Sequence, residues 1–340
     1  MPIRRDVARM RVVEAKTFGG PDVLVPGTAP TPVAGTGEVV IDVAAADVMF
    51  LDARLRSGWG TDFFPVRPPY VPGGAVAGVV SAVGEGVDPQ WLGKRVASAT
   101  AASGIGGGLP IGGYAEQALA KARTLTELPG GLDFVPAAAL VHDGTTALAV
   151  AEQAALRAGE SVLITAAGGG LGILLTQLAR AAGAAVIAAA HGQRKLDLAR
   201  RLGATEVIDY EEPGWADSVL EVTGGAGVAV VLDGAGGPIG RDALGVVAPG
   251  GRFFGYGNAA GGFAELDTEH AAAQGISVSS LMDITAAGSD FHALGARAFA
   301  LAAEGHLEVV VGQTFPLERA AEAHAAIETR QAVGRTILTV

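Results

Sequence analysis

The chain contains no cysteine. Disulfides are therefore excluded, and so are the thiolate ligands of a structural zinc site, which leaves any metal chemistry to His, Asp and Glu alone. Positive charge is also scarce: 24 Lys and Arg stand against 35 Asp and Glu, a formal charge of -11. No block of Lys or Arg rises above the scatter, which opposes nucleic acid or anionic lipid as a partner and favours small molecules. His142, His191, His292, His306 and His324 show no metal-ligand spacing, and no carboxylate pair or Ser/His/Asp constellation emerges either. The basic start, Met1 to Lys16, lacks the apolar core of a secretory signal, so a cytoplasmic location is expected. Long uncharged runs are rare too. Ser161 to Ala179 is free of charge for 19 residues, but Gly168, Gly169, Gly170 and Gly172 suit a strand, a turn and a helix better than a membrane span.

What is present is length and apolar content. With 340 residues, 49% of them hydrophobic, the chain is too long for one compact core and has ample material for two. The first third is rich in Val, Gly and Pro, with short apolar runs such as "GEVVIDVAAADV" and "GGAVAGVVSAVG" between turn signals, a pattern of strands and close turns. Beyond Leu132 the texture becomes an alternation of strand and helix. Strands are expected at Ser161–Thr165, Ala185–Ala190, Glu206–Asp209, Val228–Asp233, Arg252–Gly255 and Ile276–Ser280, with helices such as Leu171–Ala182 and Arg194–Leu202 between them. That rhythm predicts a doubly wound parallel sheet. The boundaries set by this reading are 1–132, 133–280 and 281–340, the last segment returning to the first domain around a cleft.

The segment "LITAAGGGLGILLTQLAR", Leu163 to Arg180, places glycines between a buried strand and a helix. A helix whose first turn is glycine-rich offers free N–H groups and the positive end of a dipole, which together hold a pyrophosphate. The first glycine of the usual G-x-G-x-x-G is Ala167 here, while Gly169 and Gly172 keep the close-approach and helix-packing positions. Dinucleotide folds place an acid about 20 residues further on to hold the ribose 2′-hydroxyl of NAD. The second strand instead runs into His191-Gly192-Gln193-Arg194-Lys195, with Asp197 one helical turn too late. Such a pocket suits a 2′-phosphate, although the same two cations could be the solvated first turn of a helix.

At these residues the chain resembles the zinc-free quinone oxidoreductases of the medium-chain dehydrogenase/reductase superfamily. The resemblance runs from "MRVVEAKTFGGPDVL" through "LDARLRSG", "VVSAVGEGV", "GKRVA", "GGYAEQALA", "HDGTTAL", "ARRLGATEVIDY", "VVLDGAGG" and "GGRFFGYGNAAGG" to "IETRQAVGRTIL". It implies an α/β fold: a Rossmann doubly wound sheet plus an N-terminal GroES-like β-rich domain completed by the C-terminal segment. Where zinc-dependent relatives carry Cys and Gly-His-Glu, this chain has "VPGGAVAGVV", so the resemblance implies no metal and an activated acceptor such as a quinone or an α,β-unsaturated carbonyl.

Carried onto this chain, the resemblance implies NADPH as cofactor. Gly169, Gly170 and Leu171 fall along the pyrophosphate, and Thr146 on the nicotinamide side. His191, Lys195, Tyr210 and Arg330 surround the 2′-phosphate, and Tyr256 and Asn258 lie near the nicotinamide ribose. The chain departs from the family at Met49, where an Asn usually helps hold nicotinamide and acceptor, and at Arg54, where a Tyr often lines the substrate site. Arg54 is then the candidate donor for charge developing on the acceptor, Met49 a pocket residue, and Trp59, Phe63 and Phe64 an aromatic wall for a flat acceptor. A homodimer is expected through Gly275 to Asp283, an uncharged sheet edge before Asp283. A trans-acting enoyl-thioester reductase and a catalytically idle NADPH-binding sensor are the alternative functions.

Overall fold

The structure, a computed structural model, describes residues 8–62, 64–102, 109–286 and 288–340. The chain forms two compact units, Met1–His142 with Val311–Val340, and Asp143–Val310.

The first unit begins with β1 (Arg9–Ala15) and β2 (Leu24–Pro30), an antiparallel pair. There follow β3 (Glu38–Val48), helix α1 (Phe50–Arg56), β4 (Ala75–Val83), β5 (Arg95–Ala99), β6 (Gln117–Lys121) and β7 (Thr126–Glu127). Helix α2 (Phe134–Ala154) begins here and ends in the second unit. The near-continuous apolar run of β3 is explained by burial, since all but Asp42 and Ala44 are buried and β4, β6 and the C-terminal strand all pair with it.

The second unit holds β8 (Ser161–Thr165), α3 (Gly170–Ala181), β9 (Ala185–Ala190), α4 (Gln193–Arg201), β10 (Glu206–Asp209), α5 (Trp215–Val222), β11 (Val228–Asp233), α6 (Gly237–Leu244), β12 (Val247–Gly255), α7 (Thr268–Ala273), β13 (Ser277–Ser280), α8 (Leu281–Ala286) and α9 (Phe291–Ala303). Its strands pair in parallel in the order β10-β9-β8-β11-β12-β13. This is the doubly wound order, and its switch point lies between β8 and β11. The core of Leu163, Ile187, Val231 and Phe253 seals one face of the sheet. The chain then returns to the first unit through β14 (Val311–Pro316), α10 (Ala320–Glu328) and β15 (Arg335–Thr339), with β15 antiparallel to β3.

Four of the six expected parallel strands have the bounds read from the sequence. β12 instead starts at Val247, because it runs through the "APGG" that signals a turn, with a register shift against β11 at Val228/Val230. The division between the units falls at His142 and Val311, where the sequence suggested 132 and 281. Side-chain partners account for both differences. His142 Nε2 lies 3.2 Å from the Gly74 carbonyl and Arg95 stacks on Phe134 at 4.8 Å, which joins the start of α2 to the first unit. Gln153 donates to the Ile284 carbonyl at 2.7 Å and Arg297 pairs with Glu152, which joins α8 and α9 to the second. The uncharged run Ser161 to Ala179 resolves into β8, a turn and most of α3, and among the described residues the helix long and apolar enough to cross a membrane by length and composition is α2, half of whose apolar window is buried.

Candidate functional site

At the end of β8 the chain turns through Ala166, whose left-handed backbone (φ 51°) is a conformation usually left to glycine. Helix α3 then starts with Gly169 as its N-cap and no capping side chain, so the first amides of the helix have no internal acceptor. A Cβ on Gly172 would lie 2.6 Å from the Ala166 carbonyl oxygen, so the helix packs on its own turn too closely for any other residue. A Cβ on Gly168 would lie 2.5 Å from Lys195 Cγ: the stem of Lys195, from the first turn of α4, runs across the glycine turn. A Cβ on Gly169 would meet only the Ala166 oxygen, at 3.3 Å. The partly exposed Gly169, Gly170 and Leu171 thus border open space. The Lys195 stem is half-buried on the turn, while Arg194, the other cation of this helix start, is exposed.

The sequence placed no acid at the end of β9. The fold supplies one from the neighbouring strand. Asp209 is in register with Ala190, the last residue of β9. Its carboxylate accepts from the amides of Gly192 at 3.0 Å and Glu211 at 3.0 Å, and lies 3.2 Å from His191 Nδ1. Burial raises this carboxyl, but the two amides and His191 outweigh it and hold it below the ordinary aspartate range. Only the parallel pairing of adjacent strands, which aligns their ends, would have pointed to it. Tyr210 follows, half-buried, with its ring edge-on to Trp215 at 6.5 Å.

At the switch point Thr165 closes β8 and Asp233 closes β11. The Thr165 hydroxyl donates to Asp233 at 2.5 Å and accepts from the amides of Gly234 and Ala235. Asp233 accepts further from Ala235 and Gly236, so an internal carboxylate already faces the start of α6, in contrast to the open start of α3. Burial raises the Asp233 carboxyl, opposed by these hydrogen bonds. The loop after β12 is laced to this one, with Tyr256 N and Gly257 N on the Asp233 carbonyl and Ala260 N on that of Ala235. Tyr256 does not face outward: its ring packs against Gly234, it is 7% exposed, and its hydroxyl is enclosed without a hydrogen-bond partner. Asn258 and Thr146, on α2, are both half-buried.

In the first unit, Met49 caps α1, its amide donating to Asp52 at 2.9 Å, and its methyl group lies against Gly74. Arg54 is half-buried with its guanidinium 4.7 Å from the centre of the Trp59 ring, and Trp59 and Phe64 are 6.0 Å apart. Phe63 lies outside the described residues. Arg330 follows α10, exposed and left-handed (φ 57°).

Beneath α1 lies a polar cluster that sequence reasoning missed. Asp47 is wholly buried and ion-paired with Arg335, and Arg56 is buried and ion-paired with Glu328. Tyr114 Oη lies 2.8 Å from His324 Nε2, and also hydrogen-bonds Asp52. Burial lifts the Asp52 carboxyl to about 6, against the pull of the Met49 and Gly73 amides. Burial and then the nearby Arg56 charge push His324 down to about 3.

Residues 35–130 match the family described as the alcohol dehydrogenase GroES-like domain, and residues 202–338 the family described as zinc-binding dehydrogenase. The pig quinone oxidoreductase is 33% identical over 332 residues, 97% of each chain. The chain belongs to the quinone oxidoreductase family. A 2-haloacrylate reductase of a Burkholderia species is 33% identical, covering 94% of this chain and 96% of that protein. The Escherichia coli quinone oxidoreductase, solved in complex with NADPH, superposes with a TM-score of 0.85 at 27% identity, over 98% of this chain and all of that one. Zinc, named in one of the matching family descriptions, does not fit this member of the quinone oxidoreductase family. It has no cysteine, and among the described residues no group of three His, Asp or Glu side chains could hold a metal.

Proposed function

We propose that this protein is an NADPH-dependent, metal-free reductase that passes hydride to quinones or α,β-unsaturated carbonyl compounds. The observation that carries the reading is the uncapped start of α3 with Lys195 laid across its glycine turn. A helix terminus with free amides and a cation beside it matches a pyrophosphate followed by a 2′-phosphate. Relatives named for quinone and 2-haloacrylate reduction support an electron-poor acceptor, and the Escherichia coli relative supports NADPH.

NADPH, when bound, supplies the hydride. The chain's own residues bind, orient and neutralise. Gly170 and Leu171 offer backbone donors to the pyrophosphate beside the open space at Gly169, Lys195 and His191 with Tyr210 take the 2′-phosphate, and Thr146 and Asn258 serve the nicotinamide half. Tyr256 supports the Asn258 loop by packing against Gly234. Trp59 and Phe64 give a flat acceptor an apolar face, Met49 fills the pocket, and Arg54 holds the charge that hydride addition leaves on the acceptor oxygen.

The deciding measurement pairs a panel of quinones, enones and enoyl thioesters, followed at the nicotinamide absorbance, with cofactor titrations of Lys195→Ala. A charge-assisted hydrogen bond is worth about 1.5 to 3 kcal/mol, so NADPH affinity falls roughly tenfold to a hundredfold while NADH affinity is nearly unchanged. Equal losses for both cofactors would assign Lys195 to the fold. NADPH binding without turnover on any acceptor would favour the idle sensor.

We also propose a homodimer. β13 is the end strand of the parallel sheet, carries neither proline nor charge, and is followed by Met282 at 74% exposure. Two-fold pairing of this edge satisfies its backbone groups in both copies. Light scattering at micromolar concentration is expected to give twice the chain mass, and a stable monomer would remove the proposal.

A further inference from the structure

We infer that Asp209 is a specificity determinant at the adenosine ribose: a fixed carboxylate that restrains the preference for a 2′-phosphorylated nucleotide and keeps the unphosphorylated one a usable ligand. The inference rests on the dinucleotide reading above. In doubly wound folds the ribose 2′ position is read at the end of the second strand, here β9. Asp209 stands in register with the last residue of β9, and its Oδ2 lies 3.0 Å from the amide of Gly192, two residues beyond that strand. The side chain is held from three directions, by Gly192, Glu211 and His191, yet remains 21% exposed. It is therefore a rigid anion at the surface of the subsite.

A carboxylate offers about four lone-pair positions, and three donors use most of them. A ribose hydroxyl can donate to what remains, whereas a phosphate in its place meets like charge. Lys195 acts in the opposite sense from the glycine turn it crosses, and His191 engages one oxygen of Asp209 at 3.2 Å. The choice between phosphorylated and unphosphorylated cofactor is then a difference between these charges and not the work of the cation alone.

Adenosine 2′,5′-bisphosphate and adenosine 5′-monophosphate differ only in the 2′-phosphate and need no turnover, so calorimetric titration of both tests the inference. Asp209→Asn removes the charge and keeps one oxygen to accept from either the Gly192 or the Glu211 amide. It is expected to tighten the bisphosphate roughly tenfold relative to the monophosphate, the scale of one unit charge a few ångströms away in a partly exposed site. Asp209→Ser, which removes the charge and leaves a hydroxyl on the loop, is expected to shift the ratio in the same direction, and this second variant stands if the first fails to fold. An unchanged ratio in both variants, or equal loosening of both nucleotides, would overturn the inference while leaving the dinucleotide reading in place. If the wild-type protein binds neither nucleotide, the dinucleotide reading falls and the inference with it.

Discussion

Replacing Arg54 with alanine is expected to lower turnover on the best acceptor by roughly a hundredfold, with NADPH affinity unchanged. Hydride addition to a quinone or enone puts negative charge on the acceptor oxygen, and among the described residues no group of His, Asp and Glu could hold a metal to carry it. A guanidinium cannot give up its proton at working pH, so Arg54 can stabilise that charge while solvent supplies the proton. Its setting suits the task. The side chain is half-buried, stacked on Trp59, and makes no ion pair with Asp52, so its charge is not neutralised by the carboxylate two residues away. Stacking also fixes the plane of the fork. Trp59→Leu should therefore lose part of the same factor by loosening Arg54, and steady-state kinetics on both variants, beside cofactor titrations, provide the check. Full turnover in Arg54→Ala would remove the residue from the chemistry.

The second large effect concerns stability against pH, and it comes from Asp52 and His324. Asp52 has a folded-state value of about 6 against 3.8 for a free aspartate, so the folded protein binds the proton more tightly than the unfolded chain. Its contribution weakens as pH rises from 4 to 6. His324 has a folded-state value of about 3 against 6.5, so here the unfolded chain binds the proton more tightly. Its contribution weakens as pH falls from 6.5 to 3. Between pH 4 and 6 the two slopes oppose each other, each roughly 1.4 kcal/mol per pH unit at full difference. The native protein is thus expected to show a shallow dependence from this pair in that window and a steep loss below it. His324→Gln leaves Asp52 alone, and stability should rise by about 2 to 3 kcal/mol on going from pH 6 to 4 relative to the native profile. Asp52→Asn leaves His324 alone and gives the opposite slope. Urea denaturation at a series of pH values measures both, and parallel profiles for the two variants would contradict the assignment.

Much of the architecture could be read along the chain because it is written in local patterns. The apolar runs of β8, β9, β10 and β11 gave their bounds directly, and the glycines after β8 announced the turn that opens α3. Gly172 was identifiable as a packing position because its constraint comes from residues six and five before it, Ala166 and Ala167. The family, the absence of thiolate ligands and the charge balance were likewise properties of the sequence by itself.

The tertiary structure alone decided which charges meet. Lys195, just beyond β9, reaches Gly168, just beyond the paired strand β8, and Asp209 reaches His191 because register aligns the ends of β9 and β10. It also decided that Tyr256 packs inward on Gly234, and that Arg54 lies on Trp59 and not against Asp52. Tyr114 and His324 lie 210 positions apart in the chain and are joined at 2.8 Å. Periodicity along a chain records whether a residue faces a core, since one stretch of neighbours sets that. Which polar group it meets there depends on how distant strands are ordered and registered, and for His324 that was settled only when β15 paired with β3 and brought the C-terminal helix into the first unit.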